Sequence, residues 1–64
     1  MIKQIEIAHV LQGDIVRFKS YALRVEAVPV RKPGSITLHG RINIEGSPLV
    51  TKHFMTGRTV TVER

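Results

Sequence analysis

The chain has 64 residues, ten Lys and Arg against five Asp and Glu, and no cysteine. One domain, residues 1–64, is all that this length holds, and it has neither disulfide nor thiolate metal site to stabilise it. A formal charge of +5 favours a polyanionic partner, RNA or DNA, while no apolar run reaches the roughly 18 residues of a membrane span.

Lys3 and Glu6 interrupt the apolar N-terminus, which has no small-residue cleavage site; a cytoplasmic protein without a signal peptide is expected. From there the hydrophobic period is two, not 3.6. Ile5 and Ile7 alternate with Gln4, Glu6 and Ala8, and Val10-Leu11 leads into a turn at Gln12-Gly13-Asp14. Asp14 is placed to cap no more than one short turn. A short strand is predicted at Ile15-Val16-Arg17-Phe18, then a tight turn at Lys19-Ser20.

Tyr21 to Val30 is the longest predicted strand, with Tyr21, Leu23, Val25 and Ala27 on one face and Arg24 and Glu26 on the other. Pro29 has no N–H, so the strand must end there or run along an edge. Arg31-Lys32-Pro33-Gly34 is an exposed turn, with proline presetting φ and glycine free to take positive φ.

Ser35 to Ile44 alternates most cleanly. Ile36, Leu38, Ile42 and Ile44 are expected inward, and Ser35, Thr37, His39, Arg41 and Asn43 outward. Gly40 falls in the inward series, which predicts a bend or a close backbone approach. Glu45-Gly46-Ser47-Pro48 is a turn, Leu49 to Phe54 a strand, and Met55 to Arg58 a turn. Thr59 to Glu63 is the last strand, with Val60 and Val62 inward. Short strands with a turn about every ten residues, in a chain too small for a two-sheet sandwich, predict an all-β domain: a small five-stranded SH3-like barrel.

The order Gly13-Asp14-Ile15-Val16, Tyr21 to Val28, Lys32-Pro33-Gly34, Lys52-His53-Phe54 and Gly57 to Val62 resembles the N-terminal domain of bacterial elongation factor P and its eukaryotic and archaeal counterparts. The resemblance covers about residues 10 to 64 and implies an SH3-like barrel of KOW type. In that family a basic residue follows the Pro-Gly tip and reaches toward the peptidyl-transferase centre, and OB-fold domains follow the barrel. Here Ser35 stands at that position, followed by Ile36 where the family usually has glycine, and these 64 residues hold one domain. The resemblance therefore implies the fold and not the elongation-factor activity.

No chemistry of an active site assembles from the residues. His9, His39 and His53 are far apart in sequence and lack metal-ligand spacing, so no metal is expected. Ser20, Ser35 and Ser47 lie in or beside turns, the acids are scattered, and the glycines occur singly, with no phosphate-cradling loop. The expectation is a non-enzymatic binding module without a cofactor. Its candidate contacts are Arg31 and Lys32 at the loop tip, His39 and Arg41 on one strand face, and Lys52, which approaches Arg41 if the two strands pair. These would meet phosphates of nucleic acid or a ribonucleoprotein without a sequence code, since Phe18, Tyr21 and Phe54 read as core or half-core. The alternative is a protein-interaction or self-assembly domain, a homo-oligomer joined through apolar edges near Val28, Val30 and Leu49.

Overall fold

The computed structural model describes residues 1–64. Period-two alternation and glycine-marked turns produce β1 (Ile2–Glu6), β2 (Ile15–Arg17), β3 (Ala22–Val25), β4 (Val30–Lys32), β5 (Ser35–Ile42), β6 (Leu49–Met55) and β7 (Thr59–Glu63). There is no α-helix; the only helical element is a single 3-10 turn at Ile7–His9. The fold is all-β, a curled antiparallel sheet in the order β1-β7-β2-β3-β5, with β4 beside the first half of β5 and β6 along its other edge. The sheet has seven strands and stays open: β1 pairs only with β7, and β6 only with β5.

Two local causes give more strands than five. The long segment from Tyr21 to Val30 breaks after Val25, whose N–H and C=O pair with Asp14 and Gly13 of the preceding turn, at 2.9 and 2.8 Å. Buried Pro29, without an N–H, then separates β3 from β4. At the N-terminus, Ile2–Glu6 adds an edge strand to β7, and the chain then leaves the alternation for the 3-10 turn.

Nine apolar residues make the core: Ile7, Val10, Val16, Leu23, Val25, Ile36, Leu38, Val60 and Val62. Ile7 enters it from the 3-10 turn, its N–H donating to the Arg58 carbonyl at 2.7 Å. Ile36, Leu38 and Gly40 are buried as the alternation requires, and Ile42 is half-buried. Ile44 is not: it is 70% exposed. β5 ends at Ile42, and the Ile44 N–H turns back to the Ile42 carbonyl at 2.7 Å, a three-residue turn that ends the alternation.

On the outer face, Arg17 Nη2 donates to Glu63 Oε2 at 2.7 Å between β2 and β7. That hydrogen bond, and then the guanidinium charge, hold the Glu63 carboxyl below the ordinary carboxylate range. Because the folded value is the lower one, the stabilisation is full above the unfolded value and is lost as pH falls through the folded value. Arg17→Ala should flatten the acid limb of a melting-temperature profile slightly, since both side chains are half-exposed. Superimposable acid limbs for parent and variant would show that the pair contributes nothing.

Candidate nucleic-acid interface

β5 and β6 pair in the register Leu38↔Lys52, His39↔Thr51 and Arg41↔Leu49. Directly opposite residues share a sheet face. His39 and Arg41 therefore lie on the outer face, as the alternation predicts. Lys52, opposite buried Leu38, lies on the inner face and does not join them.

The other predicted contacts are also set by their partners. Arg31 is exposed, but its Nε donates to the Ala8 carbonyl at 2.8 Å and its Nη2 to the Val10 carbonyl at 2.7 Å. It clasps the end of the 3-10 turn. Lys32 is exposed beside the Pro33-Gly34 turn, opposite Ser35. His39 Nδ1 shares a hydrogen bond of 3.0 Å with Thr51 Oγ1, and Arg41 Nη1 donates to the Ser47 carbonyl at 2.9 Å. The five residues thus divide between two faces and a loop tip rather than forming one patch.

A different constellation gathers at the open side of the sheet. Phe18 and Tyr21 flank the β2–β3 turn, which the Phe18 N–H closes on the Tyr21 carbonyl at 2.8 Å. Phe54 comes from the inner face of β6, opposite Ile36. Phe18 stacks on Tyr21 with ring centroids 4.9 Å apart and on Phe54 at 5.3 Å, the latter pair within 9° of parallel. The chain has one Tyr, two Phe and no Trp, so every aromatic ring is in this stack. All three are half-buried and pack against the core. Side chains, rather than a hydrogen-bonded ladder, bridge the β2–β3 turn to β6.

Two cations lie over the rings. Lys52 Nζ lies 5.6 Å from the Tyr21 centroid, and the Arg58 guanidinium carbon lies 5.5 and 5.6 Å from those of Phe18 and Phe54. Lys19 sits in the turn between Phe18 and Tyr21. The carboxylates of Asp14, Glu26 and Glu63 are engaged by Arg64, by Arg24 with Arg41, and by Arg17. Lys19, Lys52 and Arg58 take part in no ion pair. Two cations without an ion pair, Lys52 and Arg58, thus lie at the only aromatic surface, while Lys3, Arg31 and Lys32, also without one, lie elsewhere. The sequence signal for it is modest: Phe18 precedes Lys19, and Lys52 lies two residues before Phe54. Of the residues expected to contact phosphate, only Lys52 belongs to this constellation.

No group of three or more His, Asp or Glu side chains is placed to hold a metal ion, and no helix is long and apolar enough to cross a membrane. No protein-family model, characterised protein or solved structure matches the chain.

Proposed function

We propose that this domain is a non-enzymatic binding module for single-stranded nucleic acid, free or within a ribonucleoprotein, in a cytoplasmic setting. One observation carries the reading: all three aromatic rings form a stack with two cations over it, Lys52 and Arg58, that no carboxylate neutralises. Bases stack on aromatic faces without regard to sequence, and nearby cations hold the phosphates. Lys52 and Arg58, now over the rings, swing from π-faces to phosphate oxygens when bases arrive. The fold reading that accompanies this one is an SH3-like barrel of KOW type. β2, β3, β5 and β6 follow as antiparallel neighbours, and β7 returns beside β2; β4 continues β3, and β1 is an added edge. The likeness to the elongation factor P domain enters at that level only, because Ser35 supplies no cation at the tip.

The self-assembly reading has less support. Exposed Val28, Val30 and Leu49 favour it. All three strands with a free edge, however, carry a cation on the core-facing side: Lys3 of β1 opposite Val62, Lys52 of β6 opposite Leu38, and Arg31 of β4 opposite Ile36. Inward charge on an edge strand opposes pairing with another edge.

Tyr21 is the only strong intrinsic fluorophore, so its emission reports the stack directly. Oligonucleotides should quench it, with an affinity that falls steeply with salt. The double change Lys52→Ala, Arg58→Ala should lower the salt slope by about 1.4, roughly 0.7 for each lost phosphate contact. Unchanged Tyr21 emission in the parent at low salt would end the proposal.

A further inference from the structure

Two further arginines lie beyond the stack, along a path that carries charges of both signs. A groove of about 350 Å³ leaves Phe18 and Tyr21 along Ile15, Asn43 and the Arg17–Glu63 ion pair. Ile15 and Asn43 also line a neighbouring cleft of about 440 Å³, bordered by Arg24, Arg41 and the turn that follows β5, which brings Glu45 to its edge.

Arg24 and Arg41 are register partners on β3 and β5. Like charges directly opposite across an antiparallel pair are destabilising unless something compensates them. Here the compensation is incomplete. Both guanidinium groups share Glu26, whose Oε1 lies 3.7 Å from Arg24 Nε and 3.6 Å from Arg41 Nε. These separations are too long for hydrogen bonds. Arg41 gives one N–H to the Ser47 carbonyl, and Arg24 donates to no side chain or carbonyl. Two planar donor forks thus border the larger cleft, with Glu26 between them and Glu45 on the same lining, and the Asn43 amide lines both cavities.

We infer that Arg24 and Arg41 are a phosphate clamp for the far end of the same single strand whose bases lie on Tyr21 and Phe18. The inference rests on the stacking function proposed above and names its ligand more closely: an extended strand long enough to run from the rings through the groove to the arginine pair. Arginine forks match phosphate oxygens bidentately. A bound phosphate gives the two forks the hydrogen bonds that Glu26 does not, and Glu26 yields without breaking one. Both arginine side chains are about half-exposed or more, so replacing them leaves the core untouched.

The test uses two single strands, one of about three nucleotides and one of about eight, against the parent and Arg24→Ala, Arg41→Ala, with Tyr21 emission as readout. The short strand should quench Tyr21 equally in both proteins, with the same salt slope. For the long strand the variant should lose about 1.4 units of slope, roughly 0.7 per phosphate contact. Arg24→Lys, Arg41→Lys should keep the parent slope and bind more weakly at every salt concentration. A long-strand slope unchanged by the alanine pair overturns the clamp while leaving the stack intact. No quenching of the parent by either strand overturns the stacking function itself. Inorganic phosphate that shifts the arginine resonances in a protein that ignores the long strand would make this a site for free phosphate and overturn the strand assignment.

Discussion

Gly40→Ala is expected to remove most of the domain's stability. Gly40 is buried on β5, opposite Val25 of β3. A Cβ there would stand 2.1 Å from the Arg24 carbonyl oxygen, 2.9 Å from its carbon and 3.2 Å from the Val25 Cα. All three are backbone atoms, so no side chain can rotate away. Gly40 does not have a positive φ, which leaves the penalty steric rather than conformational. To admit one methyl, β3 must move off β5, opening the Leu23↔Ile42 pair and the Glu26 N–H to His39 carbonyl bond of 2.9 Å. Overpacking usually costs about 1–3 kcal/mol, and a clash with unyielding backbone belongs at or above the top of that range. A core in a chain this short rarely supplies more than about 3–5 kcal/mol in all. Circular dichroism melts should show a fall of more than about 12 °C, at roughly 4–8 °C per kcal/mol. A variant melting within a few degrees of the parent would mean that the strands separate here at no cost.

Gly40 also shows what alternation can reveal. A glycine in an inward series marks a place where something comes too close for a side chain, and the sequence carries both the series and the gap. Pro29 is legible for a similar reason, because the missing N–H forbids a continuous ladder. Ile44 marks the limit: the period says which face a residue would take if the strand continued, not where it stops. Lys52 marks another. Its face depends on pairing with β5, and the register Leu38↔Lys52 is a relation between segments 14 positions apart. The clasp of Arg31 on the Ala8 and Val10 carbonyls spans more than twenty residues and leaves no local trace. The aromatic stack was half legible. Phe18, Tyr21 and Phe54 read as half-core, which they are; that they meet one another follows from the curl of the sheet, which brings the β2–β3 turn to β6.

Arg64→Ala is expected to destabilise the domain by about 2–3 kcal/mol, from a residue that the strand pattern leaves without a role. Its partner is Asp14, the one buried charged side chain, at 4% exposure. The Asp14 carboxylate accepts the Leu11 N–H at 2.9 Å, Arg64 Nε at 3.0 Å and Arg64 Nη2 at 3.2 Å. Arg64 Nη2 also donates to the His9 carbonyl at 3.2 Å. The Asp14 backbone meanwhile holds Leu11 and Val25, so this carboxylate sits where the N-terminal turn, β3 and the end of the chain meet. Removing the guanidinium leaves a buried negative charge with one N–H. Breaking such a pair costs about 3–5 kcal/mol when both partners are buried. The Arg64 side chain is 31% exposed, so water reaches the site and the expected cost is lower. Asp14→Ala should be damaging too, because it strands the Leu11 N–H. The double variant separates a pair from two independent contacts: once Asp14 is gone, losing Arg64 leaves no uncompensated charge. Urea melts should give a double-variant loss smaller than the sum of the single losses, with a coupling of about 1–3 kcal/mol. Strict additivity, or an unchanged urea midpoint for Arg64→Ala, would show that solvent alone satisfies Asp14.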